Sequence, residues 1–475
     1  MKFISTSKKR KQILRVVAIV LAALFILATI ASVLPTFVNA EDAYTADRLI
    51  RVGLYYGSSA VSSVALTAPQ GFEIGTFDGT VFTPLAATEK TAIMAVAENE
   101  SGNISLVTPE WEPLYTAEAL AALCVRAMGG GKITAAGLTY SGILEFSPQN
   151  GRMRVVNIAY LEDYVKGVVV SEVYSDWPDE ALRAQAVVAR SFTLYTLGKH
   201  TADGFDICSS THCQAYRGIG SAVESTNRAV DDTRGLVVAY NGKPALTTYH
   251  SSSGETTENA TSAWGGTQEM YPYLVSVHTG FNECASYVNG KWSYTVSAQE
   301  LADYINAKPG YEGILKGPVD HIECERIGGS DYVYKLTVGD AFGNEITVEK
   351  STQVRNFLSQ YCKSASFTVS AHSPVYVGEG TEYMLDTQNM YVMTADGLQT
   401  MTAPAGGLEV LTGSGVATVG SAKDRMFTID GEGYGHGVGM SQYGAMTLAE
   451  RGEDFRSILS LYFPGTTIVP YTTLG

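Results

Sequence analysis

Positive charge is scarce in this chain. Its 475 residues hold 33 Lys and Arg against 48 Asp and Glu, a net charge of −15. That balance excludes nucleic acid and anionic lipid as the main partner of the folded part, because either surface would repel it. Cysteine is scarce as well, with only six: Cys124, Cys208, Cys213, Cys284, Cys324 and Cys362. A chain this long buries a sizeable core without disulfides, so a disulfide-dependent scaffold is excluded. Charged residues are 17% and apolar residues 45%, which excludes a disordered chain. No internal repeat and no low-complexity tract is present. Proline numbers 15 against 48 glycines, so tight turns and close backbone approaches are expected.

Acidic residues are missing from the first 40 positions, which carry Lys2, Lys8, Lys9, Arg10, Lys11 and Arg15. Without those six bases, 27 face 48 acids, leaving about −21 on the remainder. An uncharged apolar run from Val16 to Leu34 follows. Nineteen residues rising about 1.5 Å each span roughly 28 Å, the thickness of a hydrocarbon core. The flanking bases place a tail, 1–15, in the cytoplasm, make 16–34 a single-pass membrane anchor and put the bulk of the chain outside. The rival reading is a cleaved signal peptide, since Val38-Asn39-Ala40 before Glu41 resembles a cleavage site. Either way the body of the protein is extracytoplasmic.

After a linker over 35–48, the pattern predicts one α+β domain over 49–470, β-rich with a few helices and an inserted lobe around 285–425. Short strands are read in "LIRVGLYYG", "AVSSVALTA", "GFEIGTF" and "TAIMAVAE". A helix is expected from Thr116, with Ala119, Leu120, Leu123 and Ala127 at helical spacing before three glycines. Strands resume in "GILEFSP" and "MRVVNIAYL", joined by a turn at Gln149-Asn150-Gly151. Residues 162–197 read as helical, with Pro178 suited to a first turn and Leu182, Ala186, Ala189, Thr193 and Leu197 on one stripe. Further helices are expected near 298–307, 351–360 and 441–451.

Four segments are candidates for chemistry. In "LEDYVKGVVVSEV", a helix puts Val165, Val168, Val169 and Glu172 on one face. A carboxyl on an apolar stripe favours its neutral form, as a proton donor to a glycosidic oxygen requires. The plain alternative is a helix-end glutamate paired with Arg183 or Arg190. His200, Cys208, His212 and Cys213 form H-x7-C-x3-H-C, two imidazoles and two thiols that suit a closed, structural zinc ion. A Cys208–Cys213 disulfide is the alternative outside the cell. In "YHSSSGETTENATSAWGG", Tyr249, His250 and Ser251 to Ser253 suggest a triad, but no nucleophile elbow surrounds them. A polar strand end lining a cleft, with Trp264 near a sugar, fits better. Finally, Gly431, Gly433, Gly435, Gly437 and Gly439 alternate around His436 and precede Gln442 and Tyr443. An extended stretch of that kind strips one face bare, so a ligand or another backbone can approach. No Lys-Ser/Thr ending marks it as a phosphate loop.

The blocks "LEDYVKGVVVSEV", "LRAQAVVARSF", "YHSSSGETT…AWGG…YLVSV" and "GYGHGVGMSQYGAM", in this order, resemble stage II sporulation protein D and the related amidase-enhancer proteins. The resemblance runs from about Leu49 to Thr467. It implies a peptidoglycan lytic transglycosylase acting during engulfment on glycan strands already stripped of stem peptides by a partner amidase. The family's catalytic glutamate falls on Glu172, and some members carry zinc where Cys208 to Cys213 lie. Val173 departs from the family, which more often has Met there. The resemblance implies cleavage of the MurNAc–GlcNAc bond to 1,6-anhydro ends. Gln185, Arg190, His436, Gln442 and Tyr443 are candidates for sugar and lactyl-carboxylate contacts, with Tyr249, His250 and Ser253 as further substrate-binding candidates. It leaves two rivals: a non-catalytic glycan binder that stimulates an amidase, and a hydrolase with an open zinc at Cys208, His212 and Cys213.

Overall fold

The computed structural model describes residues 48–98, 102–117, 122–283, 290–377, 381–386, 390–394, 397–401, 408–412, 415–419 and 425–474. The chain divides into two compact units, Met1–Ile50 and Arg51–Gly475. Only 48–50 of the first unit are described, so the expected tail and the 16–34 anchor lie outside the described residues. Among the described residues no helix is long and apolar enough to cross a membrane.

The second unit mixes strands and helices, as the pattern predicts. Its largest sheet has seven strands in the order Ile207–Cys208, Leu49–Tyr55, Arg152–Tyr160, Ile143–Gln149, Leu123–Ala127, Phe72–Phe77 and Phe82–Thr88. The central hairpin pairs Ile143 with Ile158 through to Gln149 with Arg152. Asn150 (φ 51°) and Gly151 (φ 73°) take the left-handed conformation that its two-residue turn needs. The helix expected from Thr116 to Ala127 is not formed. Pro113–Thr116 and Leu123–Ala127 are strands, and 118–121 lie outside the described residues. Cys124 pairs with Gly75 on one side and Glu145 on the other, and a two-sided sheet environment overrides the helical spacing of so short a run.

Eight helices occur among the described residues: α1 (Leu161–Glu172), α2 (Asp179–Thr196), α3 (Glu224–Asp232), α4 (Ala260–Trp264), α5 (Ala298–Asn306), α6 (Ser351–Phe357), α7 (Gln442–Glu450) and α8 (Phe455–Tyr462). The stretch expected to be helical over 162–197 is therefore two helices, broken before Pro178. Helix α1 follows the strand Arg152–Tyr160 directly, with Glu162 and Asp163 at the positive end of its dipole. Gly167 lets it lie close to the next loop, since a Cβ there would sit 2.5 Å from the Tyr216 ring and 2.6 Å from Gly218 O. Helix α2 is central, touching α1, α3, α7, α8 and the strand Leu236–Tyr240. Its stripe Leu182, Ala186, Ala189 and Thr193 is fully buried, and the small side chains permit that crowding.

One ion pair crosses this helical layer. Arg190 Nε and Nη2 donate to the two carboxylate oxygens of Glu162 at 2.7 and 2.6 Å, with side chains 0% and 2% exposed. The same guanidinium donates to Leu236 O at 2.9 Å and Val230 O at 3.3 Å, and Gly235 N–H donates to Glu162 at 3.1 Å. Two helices, the end of a third and a strand are thus tied to one buried charge pair.

A second, separate core forms within the segment expected to hold an inserted lobe. Trp292, Val296, Leu301, Ile305, Leu336, Val354, Phe357 and Phe367 pack there with Phe427 and Ile429. Strand Met426–Glu432 closes it by pairing with Lys291–Ser297 on one side and Phe367–Val377 on the other.

Removing one partner of the Glu162–Arg190 pair leaves the other charge buried, a loss of about 3–5 kcal/mol. Glu162→Ala should therefore lower stability by about that amount in denaturant unfolding, whereas Glu162→Leu with Arg190→Met should recover most of it. A single variant within about 1 kcal/mol of wild type would contradict the role given to the pair.

Candidate active site

Glu172 is the last residue of α1, where the chain turns extended at Val173. Val165, Val168 and Val169 are fully buried, and Glu172 continues their stripe to the surface, half-buried. Ala215 N–H donates to Glu172 Oε1 at 3.0 Å, and the Tyr249 hydroxyl also bonds this carboxylate. Burial raises the Glu172 pKa above its ordinary value, and those two hydrogen bonds oppose the rise. The Tyr249 hydroxyl is itself placed by Gln214, whose Nε2 donates to it at 3.2 Å. Gln214 is fixed to α2, accepting from the Thr193 hydroxyl at 2.8 Å and donating to Ala189 O at 3.4 Å.

Glu172 lines a cleft of about 550 Å³. Tyr174 and Trp177, in the turn between α1 and α2, form one wall with Tyr443 at the start of α7. The Trp177 and Tyr443 rings meet edge to face at 5.0 Å. Ser251, Lys363, Tyr434 and Gln442 also line it, and among the described residues Glu172 is its one acidic side chain. Gln442 Nε2 donates to Glu172 O at 3.3 Å and to Gln185 Oε1 at 3.4 Å. The start of α7 is held by Ser441, whose hydroxyl accepts from Gly444 N–H at 3.1 Å and donates to buried Glu283.

The expected sugar contacts divide. Gln442 and Tyr443 line the cleft, Tyr249 touches Glu172, and Gln185 stands behind Gln442. Arg190, His250, Ser253 and His436 are not brought to the cleft lining. Arg190 is consumed by Glu162, and Ser253 N–H donates to Glu283 at 2.6 Å. His250 donates from Nδ1 to Val438 O at 3.3 Å, and burial holds its pKa well below the usual value. Its Nε2 has no partner among the described residues, so no serine–histidine triad forms. His436 accepts from Val438 N–H at 3.0 Å, its pKa pushed down to about 4 by burial and then by Arg355. Trp264 packs edge-on to His436 and Tyr271 and does not line the cleft.

The alternating glycines do not form a bare ligand groove. Gly437 and Gly439 take left-handed φ values of 80° and 77°. A Cβ there would strike the Tyr332 ring and Thr248 O respectively, so the cleared face is filled by the protein's own chain. Strand Tyr249–His250 pairs in parallel with Met440–Ser441 beside it, which brings Tyr249 and Gln442 to the same place.

The structure brings the four metal-ligand candidates together. One donor atom from each of His200, Cys208, His212 and Cys213 lies within 4.8 Å of the other three. His200 Nε2 is 3.2 Å from His212 Nδ1, which is 3.6 Å from Cys208 Sγ and 3.9 Å from Cys213 Sγ. Tetrahedral bonds of 2.0–2.3 Å separate ligands by about 3.3–3.8 Å, so the set fits a zinc ion. Both thiols are free, so the alternative disulfide is not formed. The Cys213 thiol donates toward Cys208, which lowers the Cys208 pKa and raises that of Cys213. Asp203 holds His200 Nδ1 at 2.8 Å, leaving Nε2 turned to the cluster. None of the four lines the Glu172 cleft.

Sequence reasoning missed Tyr174, Trp177, Lys363, Tyr434, Gln214 and Ala215. The two aromatics were legible, since "EVYSDWP" places them directly after the acid. Lys363 reaches the cleft from a distant segment with no local signal, and Tyr434 lies within the glycine-rich block already singled out, though it was not itself named.

A family model described as stage II sporulation protein matches residues 149–240. Over 322 residues the chain is 31% identical to the amidase enhancer of Bacillus subtilis (strain 168), covering 65% of this chain and 40% of that protein. It is 29% identical over 340 residues to an uncharacterized protein of Brachyspira hyodysenteriae, covering 71% and 74%. Over 323 residues it is 25% identical to the stage II sporulation protein D of Bacillus subtilis, covering 65% and 74%. The chain thus spans less than half of the amidase enhancer's length.

Because burial raises the Glu172 pKa above 4.5, the folded protein binds that proton more tightly than the unfolded chain. Stability from this group is therefore complete in acid and declines as pH rises above about 4.5 through the folded-state value. Glu172→Gln, which never ionises, should melt with wild type near pH 4 and above it at pH 8. Equal melting curves at both pH values would contradict a raised pKa.

Proposed function

The chain belongs to the stage II sporulation protein D family, and on that premise we propose that it is a cell-wall lytic transglycosylase acting on stripped peptidoglycan strands. The observation that carries this reading is the single carboxyl among the described residues lining the cleft, Glu172, half-buried with a raised pKa beside an aromatic wall. A protonated Glu172 donates to the oxygen linking MurNAc to GlcNAc. The resulting carboxylate then takes the proton of the muramyl 6-hydroxyl as that oxygen closes on the anomeric carbon. The bond to GlcNAc breaks, a 1,6-anhydro ring forms, and the proton count balances. An intramolecular nucleophile removes the need for a second carboxylate to activate water, in keeping with a cleft lined by one acid among the described residues. Ala215 N–H and the Tyr249 hydroxyl temper the rise, so the group can serve as acid and then as base.

His200, Cys208, His212 and Cys213 would hold zinc as a closed structural site. Bound there, the ion would cross-link the loop that leads into Gln214 and Ala215. The apolar run over 16–34 would anchor the protein with its catalytic domain outside the membrane, where a partner amidase strips the strands during engulfment. The specific observation favouring a second reading, a glycan binder that stimulates an amidase, is the 31% identity to the amidase enhancer.

Incubation of the purified protein with stripped glycan, read by mass spectrometry, should yield 1,6-anhydro ends. Glu172→Gln should reduce their formation at least a thousandfold while the protein stays folded. Binding without anhydro ends in zinc-replete wild type would favour the stimulator. Metal analysis should find one zinc per chain in wild type and none in Cys208→Ser, which should also melt at a lower temperature. A Cys208→Ser protein as stable as wild type would remove the structural role.

A further inference from the structure

Among the described residues that line the cleft, Lys363 is the one cation. Its neighbours Cys362 and Ser364 are buried, and the Ser364 hydroxyl donates to Glu432 O at 2.5 Å. Lys363 O accepts Gly435 N–H at 3.1 Å. Lys363 and Ser364 are therefore both tied to the glycine-rich segment that carries Tyr434, which presents the lysine to the cleft. Two other described lysines pair with acids, Lys166 with Asp231 and Lys335 with Glu325, while most, like Lys363, form no ion pair. Lys363 has no ion-pair partner among the described residues, in a chain with 48 acids. Besides burial, the groups acting on Glu172 are Ala215 and Tyr249 rather than Lys363.

We propose that Lys363 binds the free carboxylate that a muramyl lactyl ether exposes once its stem peptide is removed, and so selects stripped strands over peptide-bearing ones. This rests on the glycan-cleaving reading above. In a peptide-bearing strand the same carbon is an amide, which is uncharged and offers the ammonium no counter-ion. An ammonium–carboxylate hydrogen bond is about twice as strong as a neutral one, and its loss should weaken binding about tenfold. The aromatic wall supplies apolar contact to the sugar rings in either case, so it cannot discriminate between the two strands.

The test is equilibrium binding of full-length protein carrying Glu172→Gln, so that nothing is turned over. Two ligands are compared: stripped glycan, and the same glycan with its lactyl carboxylates converted to methylamides. Lys363→Gln should weaken binding of the stripped strand about tenfold and leave the methylamide strand unchanged, with Lys363→Arg retaining most of the preference. Salt should erode the preference in wild-type Lys363 protein and not in Lys363→Gln. Equal loss for both strands, no loss for either, or no binding of either strand by the Lys363 protein would overturn the proposal. Anhydro-product formation by the unsubstituted protein is measured separately. Its absence alongside a carboxylate preference would sink the transglycosylase reading and leave the role of Lys363 standing.

Discussion

Arg190 and Glu162 meet face to face where neither is exposed, and two more guanidinium hydrogens bond the Leu236 and Val230 carbonyls. A charge buried that deeply tolerates one arrangement, because any slip of α1 against α2 strands a guanidinium or a carboxylate in apolar surroundings. The pair sits at the start of α1, and Glu172 ends the same helix ten residues, or about 15 Å, further on. Fixing the first turn against α2 therefore fixes where the acid emerges. Helix α2 contributes again through Thr193 and Ala189, which hold Gln214 and through it Tyr249. The site inherits its geometry from the helix pair.

Glu172 is balanced between opposed influences. An apolar stripe on α1 and a half-buried position favour the protonated form, while one backbone amide and one phenol favour the anion. On the proposed reading, neither alone would suit a group that gives up a proton and then accepts another. The two donors come from different parts of the chain, Ala215 after the metal-ligand loop and Tyr249 beside the glycine-rich segment. The balance thus depends on tertiary structure at both ends. Cys213, Gln214 and Ala215 are consecutive, so whatever holds the cysteine also places the residues that hold Tyr249 and Glu172. The metal-ligand cluster can matter to chemistry without lining the cleft.

Glycines 437 and 439 show how a sequence pattern can be read correctly in kind and wrongly in object. Alternating glycines do clear a face for close approach, but the approaching groups are Tyr332 and the Thr248 backbone. That packing brings strand Met440–Ser441 beside Tyr249–His250 and delivers Gln442 and Tyr443 to the cleft. His250 is buried and His436 half-buried with it, and desolvation favours the neutral form of both, so they support the segment.

Local periodicity and ligand chemistry were enough to mark Glu172 at the end of a valine stripe, the four-residue Cys/His cluster, the helices of the 162–197 stretch and the strand-rich remainder. These are short-range properties: a carboxyl three and four residues from buried valines is on their face whatever surrounds the helix. Long-range contacts decided the rest. Arg190 was offered to the substrate because an arginine near an acid can bind a carboxylate, and only the packing of α1 on α2 shows it given to Glu162. Leu123–Ala127 satisfied a helical spacing and became a strand, because Gly75 and Glu145 lie on either side of Cys124. Lys363 carries no signature, and Tyr434 sits in the glycine-rich block without any mark of its place in the cleft, since a wall assembled from residues 177, 363, 434 and 443 exists only once the chain has folded.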